Sequence, residues 1–129
     1  MSNPKVAVVI IHWNRKQLLE QFLPALVITA YSNLQIVVAD NNSDDDSVAF
    51  VQQHYPQVTI VRNDGNYGYA GGYNHALPHV QADYYVLLNN DIEVTENWIL
   101  PVIEVMERDK TIAAAQPKMI DFYNRNKFE

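Results

Sequence analysis

Three stretches of this sequence concentrate groups suited to hold an anion, a sugar hydroxyl or a hard cation. In Ala39-Asp40-Asn41-Asn42-Ser43-Asp44-Asp45-Asp46-Ser47, four carboxylates fall within seven residues. Asp40 directly follows a hydrophobic run, where its two acceptor oxygens are placed to take hydrogen bonds from a nucleobase edge or a ribose hydroxyl. Asp44 and Asp45 read as a solvated loop leading into a helix capped by Asp46 or Ser47. Asn66-Tyr67-Gly68-Tyr69-Ala70-Gly71-Gly72 would let a ligand approach main-chain amides, and a helix beginning near Gly71 or Gly72 would turn its positive end toward a phosphate. Ordinary turns use glycine as well, and the nearby tyrosines and His75 suit packing as readily as chemistry. In Leu87-Leu88-Asn89-Asn90-Asp91 an apolar run delivers two amides and a carboxylate abruptly. Such oxygen ligands suit Mg²⁺ or Mn²⁺; Mg²⁺ takes one or two carboxylates and completes its shell with water and substrate phosphate.

The elements that must position these groups are legible from hydrophobic patterning. Val6-Ala7-Val8-Val9-Ile10-Ile11 is apolar without alternation, as in a parallel strand buried on both faces. Similar runs at Gln35–Ala39, Val58–Val61, Tyr84–Leu88 and Ile112–Ala115 give five expected strands. Leu18, Phe22 and Leu26 form one helical stripe with Leu19 and Leu23 beside it; Asn14 is the expected cap, with Gln17 as its capping-box partner. Pro24 predicts a kink or an early end in that helix. A second helix is expected from about Ser47 to Tyr55, closed by Pro56, then a short one from Tyr73 to Leu77 after the glycine-rich loop. Ile99, Val102, Ile103 and Met106 predict a fourth, capped by Thr95 or Asn97. Strands alternating with helices predict an α/β fold, a mostly parallel open sheet with helices on both faces, whose ligands bind at the carboxyl ends of the strands.

Composition narrows the chemistry. A chain of 129 residues is one domain, and 48% hydrophobic residues suffice for a core. The net charge of -6 has the wrong sign for tracking a phosphate backbone, so nucleic acid is not expected as a partner. The sequence has no cysteine, which removes disulfides, thiolate zinc sites and a cysteine nucleophile together. His12-Trp13-Asn14 follows the first strand without glycine, so both the dinucleotide fingerprint and the phosphate loop are missing where they belong. No run approaches a membrane span or a secretory signal, and the expectation is a cytoplasmic chain, with the inner face of the membrane as the alternative.

The order of four blocks then carries more than any one of them. Val8-Val9-Ile10-Ile11-His12-Trp13-Asn14, Val37-Val38-Ala39-Asp40-Asn41-Asn42-Ser43-Asp44-Asp45-Asp46-Ser47, Asn66-Tyr67-Gly68-Tyr69-Ala70-Gly71-Gly72-Tyr73-Asn74 and Leu87-Leu88-Asn89-Asn90-Asp91 together resemble a family 2 glycosyltransferase of the GT-A fold, from about Val6 to Met119. The resemblance implies an inverting transfer of a sugar from a nucleotide diphosphate donor, UDP- or dTDP-linked, to an acceptor hydroxyl of a glycan or lipid-linked sugar, assisted by Mg²⁺ or Mn²⁺. By position it implies that Asp40 contacts the base and that His12, Trp13 and Asn14 line the same pocket. Asn42, Asn66, Gly68, Gly71, Gly72, Asn89 and Asn90 complete the donor site, and Asp91 holds the metal. Asn89 stands in the first position of the family's Asp-x-Asp motif, one negative charge fewer, as in the branch that contains rhamnosyltransferase-like enzymes.

Inversion needs a general base on the face of the sugar opposite the leaving group, and in the family that base lies in a later, acceptor-binding segment. Residues 1–129 are therefore expected to be the donor-binding portion of a longer enzyme, without its acceptor portion, and no residue here is nominated as the base. Peripheral membrane association is expected to come, where it exists, through that other portion. Two alternatives stay open: a non-catalytic nucleotide-sugar-binding or assembly domain of the same fold, and a sugar nucleotidyltransferase. The second wants a glycine-rich basic loop after the first strand, where this chain offers only Arg15 and Lys16.

Overall fold

The computed structural model describes residues 3–127. Four parallel strands, β1 (Val6–His12), β2 (Leu34–Asp40), β3 (Thr59–Arg62) and β4 (Tyr84–Leu88), form one sheet in the order β3-β2-β1-β4. The crossovers carry α1 (Lys16–Val27), α2 (Ser47–His54) and α3 (Gly68–Ala76), and α4 (Leu100–Arg108) follows β4. Chain order reverses between β2 and β4 on either side of β1, which creates the crevice where open α/β sheets bind ligands.

The pleat assigns every strand residue to one of two cores. Val6, Val8 and Ile10 of β1, with Ile36 and Val38 of β2, pack against Leu19, Leu23 and Leu26 of α1, Val51 of α2 and Ile103 of α4. Ala7 and Val9, with Val37 and Ala39, pack on the other face against Tyr73 and Ala76 of α3. The apolar β1 run without alternation is thus a strand covered on both sides. The Tyr73 hydroxyl reaches the carbonyl oxygens of Val9 at 3.3 Å and Leu88 at 3.2 Å, bridging β1 and β4, and its burial pushes the phenol's pKa well up.

Several expectations are corrected. Ile112–Ala115 is not a strand: three successive alanines have little strand preference, and Ala113, Ala114 and Ala115 are exposed. Helix α1 does not end at Pro24 but continues to Val27. Asn14 does not cap α1. Asn14 and Arg15 both take left-handed backbone, with φ of 52° and 58°, Arg15 occupies the cap position without a side-chain bond, and the Asn14 amide turns to the loop after β2. Helix α3 begins at Gly68, so Gly68 to Gly72 of the expected glycine-rich loop are helical. Neither Thr95 nor Asn97 caps α4, which starts after Ile99 with Pro101 in its first turn. Asp46 stands at the α2 cap position without a side-chain cap bond; Asp45 instead accepts from the Ser47 amide at 3.0 Å and from its hydroxyl.

Candidate functional site

At the carboxyl end of the sheet, His12, Asp40 and Arg62 lie side by side in register on neighbouring strands. His12 is the last residue of β1 and faces the α1/α2 side, one step beyond Ile10 in the pleat. Its side chain is 1% exposed. Nε2 lies 2.9 Å from the Ser47 hydroxyl, and Nδ1 lies 3.1 Å from the Asn90 amide nitrogen. Burial lowers the His12 pKa against the opposing pull of Asp40 and Asp45, so the ring is neutral at pH 7. The resemblance places His12 in the lining of the base pocket; its side chain lies beneath the rim, buried.

Asp40 is turned inward as well, with no exposure of its side chain. Oδ2 accepts from the Ser43 amide at 2.9 Å, Oδ1 accepts from the Ser43 hydroxyl at 2.5 Å, and Arg62 Nε stands 3.7 Å from Oδ2. In place of an edge offered to a base, its oxygens are engaged by the turn that follows it. That turn is held from outside too: the Asn14 amide donates to Ser43 Oγ at 2.8 Å, and Asn14 Oδ1 accepts from the Asp44 amide at 2.7 Å. Arg62 donates to the Ser43 carbonyl at 2.9 Å. Asp45 is held below the usual carboxylate range: burial works against this, and the Ser47 hydroxyl and amide, the Lys16 amide and His12 outweigh it.

On the other face, Asn41 continues the pleat of β2 toward α3. Its Nδ2 donates to the Gly68 carbonyl at 2.9 Å, and its Oδ1 accepts from Asn63 Nδ2, which also donates to the Gly72 carbonyl at 3.1 Å. Gly72 is buried; a Cβ there would stand 2.3 Å from Ile11 Cδ1 and 2.7 Å from Asn41 Nδ2. Its glycine lets α3 lie close on β1 and β2, which corrects the expectation that it exposes backbone to a phosphate. A Cβ at Gly71 would stand 3.0 Å from Tyr67 Cβ. Gly68, at φ of 73° and exposed, is where the missing side chain permits the chain's turn into α3. Asn66 Oδ1 accepts from the Gly68 amide at 3.0 Å, and Tyr67 stacks on His75 with centroids 3.7 Å apart.

Beyond β4, Asn89 and Asp91 are exposed and Asn90 is half-buried. Among the described residues no group of three or more His, Cys, Asp or Glu side chains is placed to hold a metal ion. The donor set at this strand end is a carboxylate and amide oxygens, which fits a hard cation drawing the rest of its shell from water and phosphate. Trp13, 46% exposed, and Asn42, exposed at φ of 62°, flank the same strand ends. Hydrogen bonds therefore link the ends of β1, β2 and β4 and the start of α3.

The sequence names no role for Ser43, Asn41, Asn63 or Arg62 and marks Ser47 only as a helix cap, yet these five hold the turns. The spacing Asp40-x-x-Ser43 was the available sign, since an Asp commonly bonds the backbone and hydroxyl just ahead of it. Asn63 and Arg62 had no local signal, because their partners are distant in sequence.

The sequence profile of glycosyl transferase family 2 matches residues 7–128. A Campylobacter jejuni GalNAc(5)-diNAcBac-PP-undecaprenol beta-1,3-glucosyltransferase is 27% identical over 95 residues, which are 70% of this chain and 31% of that protein. Two further bacterial glycosyltransferases are matched over 35% and 36% of their lengths, so the chain spans only a minor part of these relatives. Among solved structures, the Pyrobaculum calidifontis mannosyltransferase PcManGT in complex with GDP-Man and Mn²⁺ superposes with a TM-score of 0.66 at 26% identity, over 72% of this chain and 29% of that one. Staphylococcus aureus TarS in complex with UDP-GlcNAc superposes with a TM-score of 0.73 at 14% identity, over 90% of this chain and 38% of that one, a likeness of fold.

Proposed function

Because the chain belongs to glycosyl transferase family 2, we propose that the carboxyl rim of its sheet is the donor half of a glycosyltransferase site, binding a nucleotide diphosphate sugar for inverting transfer to a hydroxyl of a glycan or lipid-linked acceptor. The observation that carries this reading is the joining of the β1, β2 and β4 ends and the α3 start at one rim through His12, Asn14, Asn41 and Asn63. Four loops distant in sequence are held together there by polar side chains.

The nucleotide end falls to Trp13, whose exposed indole offers a stacking face, and to Asn14 and Asn42 beside it. Asp40 acts through Ser43, fixing the turn that presents them. The sugar and diphosphate fall to Asn66 and Gly68 at the start of α3 and to Asn89 and Asn90 after β4, whose amides donate to anionic or hydroxyl oxygens. Asp91 is the chain's ligand for Mg²⁺ or Mn²⁺, which when bound neutralises the charge that gathers on a departing diphosphate. The acceptor and its base belong to another part of the enzyme.

PcManGT binds GDP-Man with Mn²⁺ and TarS binds UDP-GlcNAc, so calorimetry with UDP, dTDP and GDP, each with and without Mn²⁺, tests the proposal. Binding of one nucleotide, strengthened by Mn²⁺, is expected; no binding of any of the three under either condition overturns it. Asp91→Ala should abolish the Mn²⁺ enhancement and leave metal-free affinity within about twofold, as expected of an exposed ligand that supports no fold. An Asp91→Ala chain that keeps its full enhancement removes the metal assignment.

A further inference from the structure

We propose that His12 is a positioning residue that clamps the Asn89–Asp91 turn to the Asp45–Ser47 turn through its two ring nitrogens. That the Asn89–Asp91 turn holds the sugar and diphosphate of a donor rests on the reading above; the clamp itself rests on geometry.

The hydrogen count at His12 admits one arrangement. The Ser47 hydroxyl donates to the Asp45 carboxylate, which has no proton to give, so toward His12 that hydroxyl accepts. Nε2 must then carry the ring hydrogen, and Nδ1 of a neutral imidazole is left as an acceptor for the Asn90 amide. The donors run in one direction, from Asn90 to His12 to Ser47 to Asp45. Turning the Asn90 amide around would demand a proton on Nδ1, hence a charged ring, which burial opposes.

The clamp lies where the sheet no longer does this work. Ladder pairing between β1 and β4 ends at Ile10 and Leu88. Extending that register by two residues puts Asn90 opposite His12 on the same face, so a side-chain bond takes over at the place where the strands part. The preceding residues on this face, Val6, Val8 and Ile10, are apolar, and an aliphatic side chain at position 12 would fill the same space without the desolvation cost of an imidazole. That cost is offset only when both nitrogens are bonded, as they are. Ser47 is itself 1% exposed at the first turn of α2, so the clamp ties the Asn90 turn to a helix rather than to a mobile loop.

His12→Gln keeps a donor near the Nε2 position and loses the bond to Asn90; His12→Asn keeps an acceptor near Nδ1 and loses the bond to Ser47. On the unaltered chain, nitrogen-15 NMR of the imidazole should report a neutral ring protonated at Nε2. Exchange of the Asn90 side-chain amide, which donates to Nδ1, should accelerate about tenfold in His12→Gln with the Ser47 backbone amide nearly unchanged, and the pattern should reverse in His12→Asn. In a chain that binds UDP, His12→Gln should also reduce the Mn²⁺ enhancement. A ring protonated at Nδ1, or equal responses of both turns in both variants, overturns the clamp. The tautomer is read without substitution, so a variant that fails to fold leaves that decision in place. Split responses in a chain that binds no nucleotide overturn the donor reading alone and leave the clamp standing.

Discussion

Removing the Asp40 carboxylate would strand the Ser43 amide and hydroxyl in a site where Ser43 is 3% exposed. Asp40→Ala should therefore lower stability by about 3 kcal/mol, because buried donors lose a charged acceptor. Urea unfolding checks this, and an Asp40→Ala chain with an unchanged midpoint would show that the turn does not depend on it. His12 gives a second expectation at this scale. Its pKa in the fold lies below the ordinary 6.5 of the unfolded chain. Between those two values the unfolded chain binds more protons, so stability rises with pH across that window, is complete above it, and is lost as pH falls toward the folded value. His12→Gln should shrink the drop in urea midpoint between about pH 7.5 and about pH 5.5; an undiminished drop would assign the pH dependence to other groups. Asp40 and His12 were legible as special because each polar group ends an apolar run, but not as inward-facing. Which way they turn depends on partners at Ser43, Ser47 and Asn90 that no local pattern names.

For the elements, the tightest constraint sits at Gly72. Gly72→Ala would drive a methyl into Ile11 and Asn41, and should cost about 2 kcal/mol by overpacking, with α3 moved off the sheet and the Asn41 bond to Gly68 lengthened. Thermal melts and amide shifts along α3 measure both; a Gly72→Ala chain as stable as the unaltered one would show that α3 has room to move. Strands β1 and β2 were readable because fully buried β-branched runs have few alternatives. The start of α3 was not, since glycines and tyrosines give it little helical preference and its place is set by packing on Ala7, Val9 and Val37. The expected fifth strand failed for the converse reason: an apolar run of alanines has the composition of a core segment without the β-branched side chains that hold a strand.

Across the whole molecule, the net charge of -6 must work against an anionic donor. Salt screens this repulsion, so without a divalent cation a nucleoside diphosphate should bind roughly twofold more tightly at about 150 mM salt than at about 10 mM. Titration at the two salt concentrations decides it, and tighter binding at low salt would reveal a local positive field stronger than the global charge. The α/β class and the placing of helices on both faces followed from strand and helix alternation, because parallel strands need crossovers. The rim itself was foreseeable in outline, since strand ends gather wherever such a sheet is built; the ties across it were not.

The alternation of β1 has a further consequence. Val6, Val8, Ile10 and His12 occupy one side of the strand and Ala7, Val9 and Ile11 the other. Deleting a single residue anywhere in Val6–Ile11 would turn every side chain after it to the opposite face, thrusting the imidazole toward α3 and Trp13 toward Ser47. Deleting two would restore every side chain to its proper face while drawing the imidazole one pleat down from Asn90. Length changes in this strand thus come in even and odd kinds, and only an even one could ever separate loss of ligand from loss of fold.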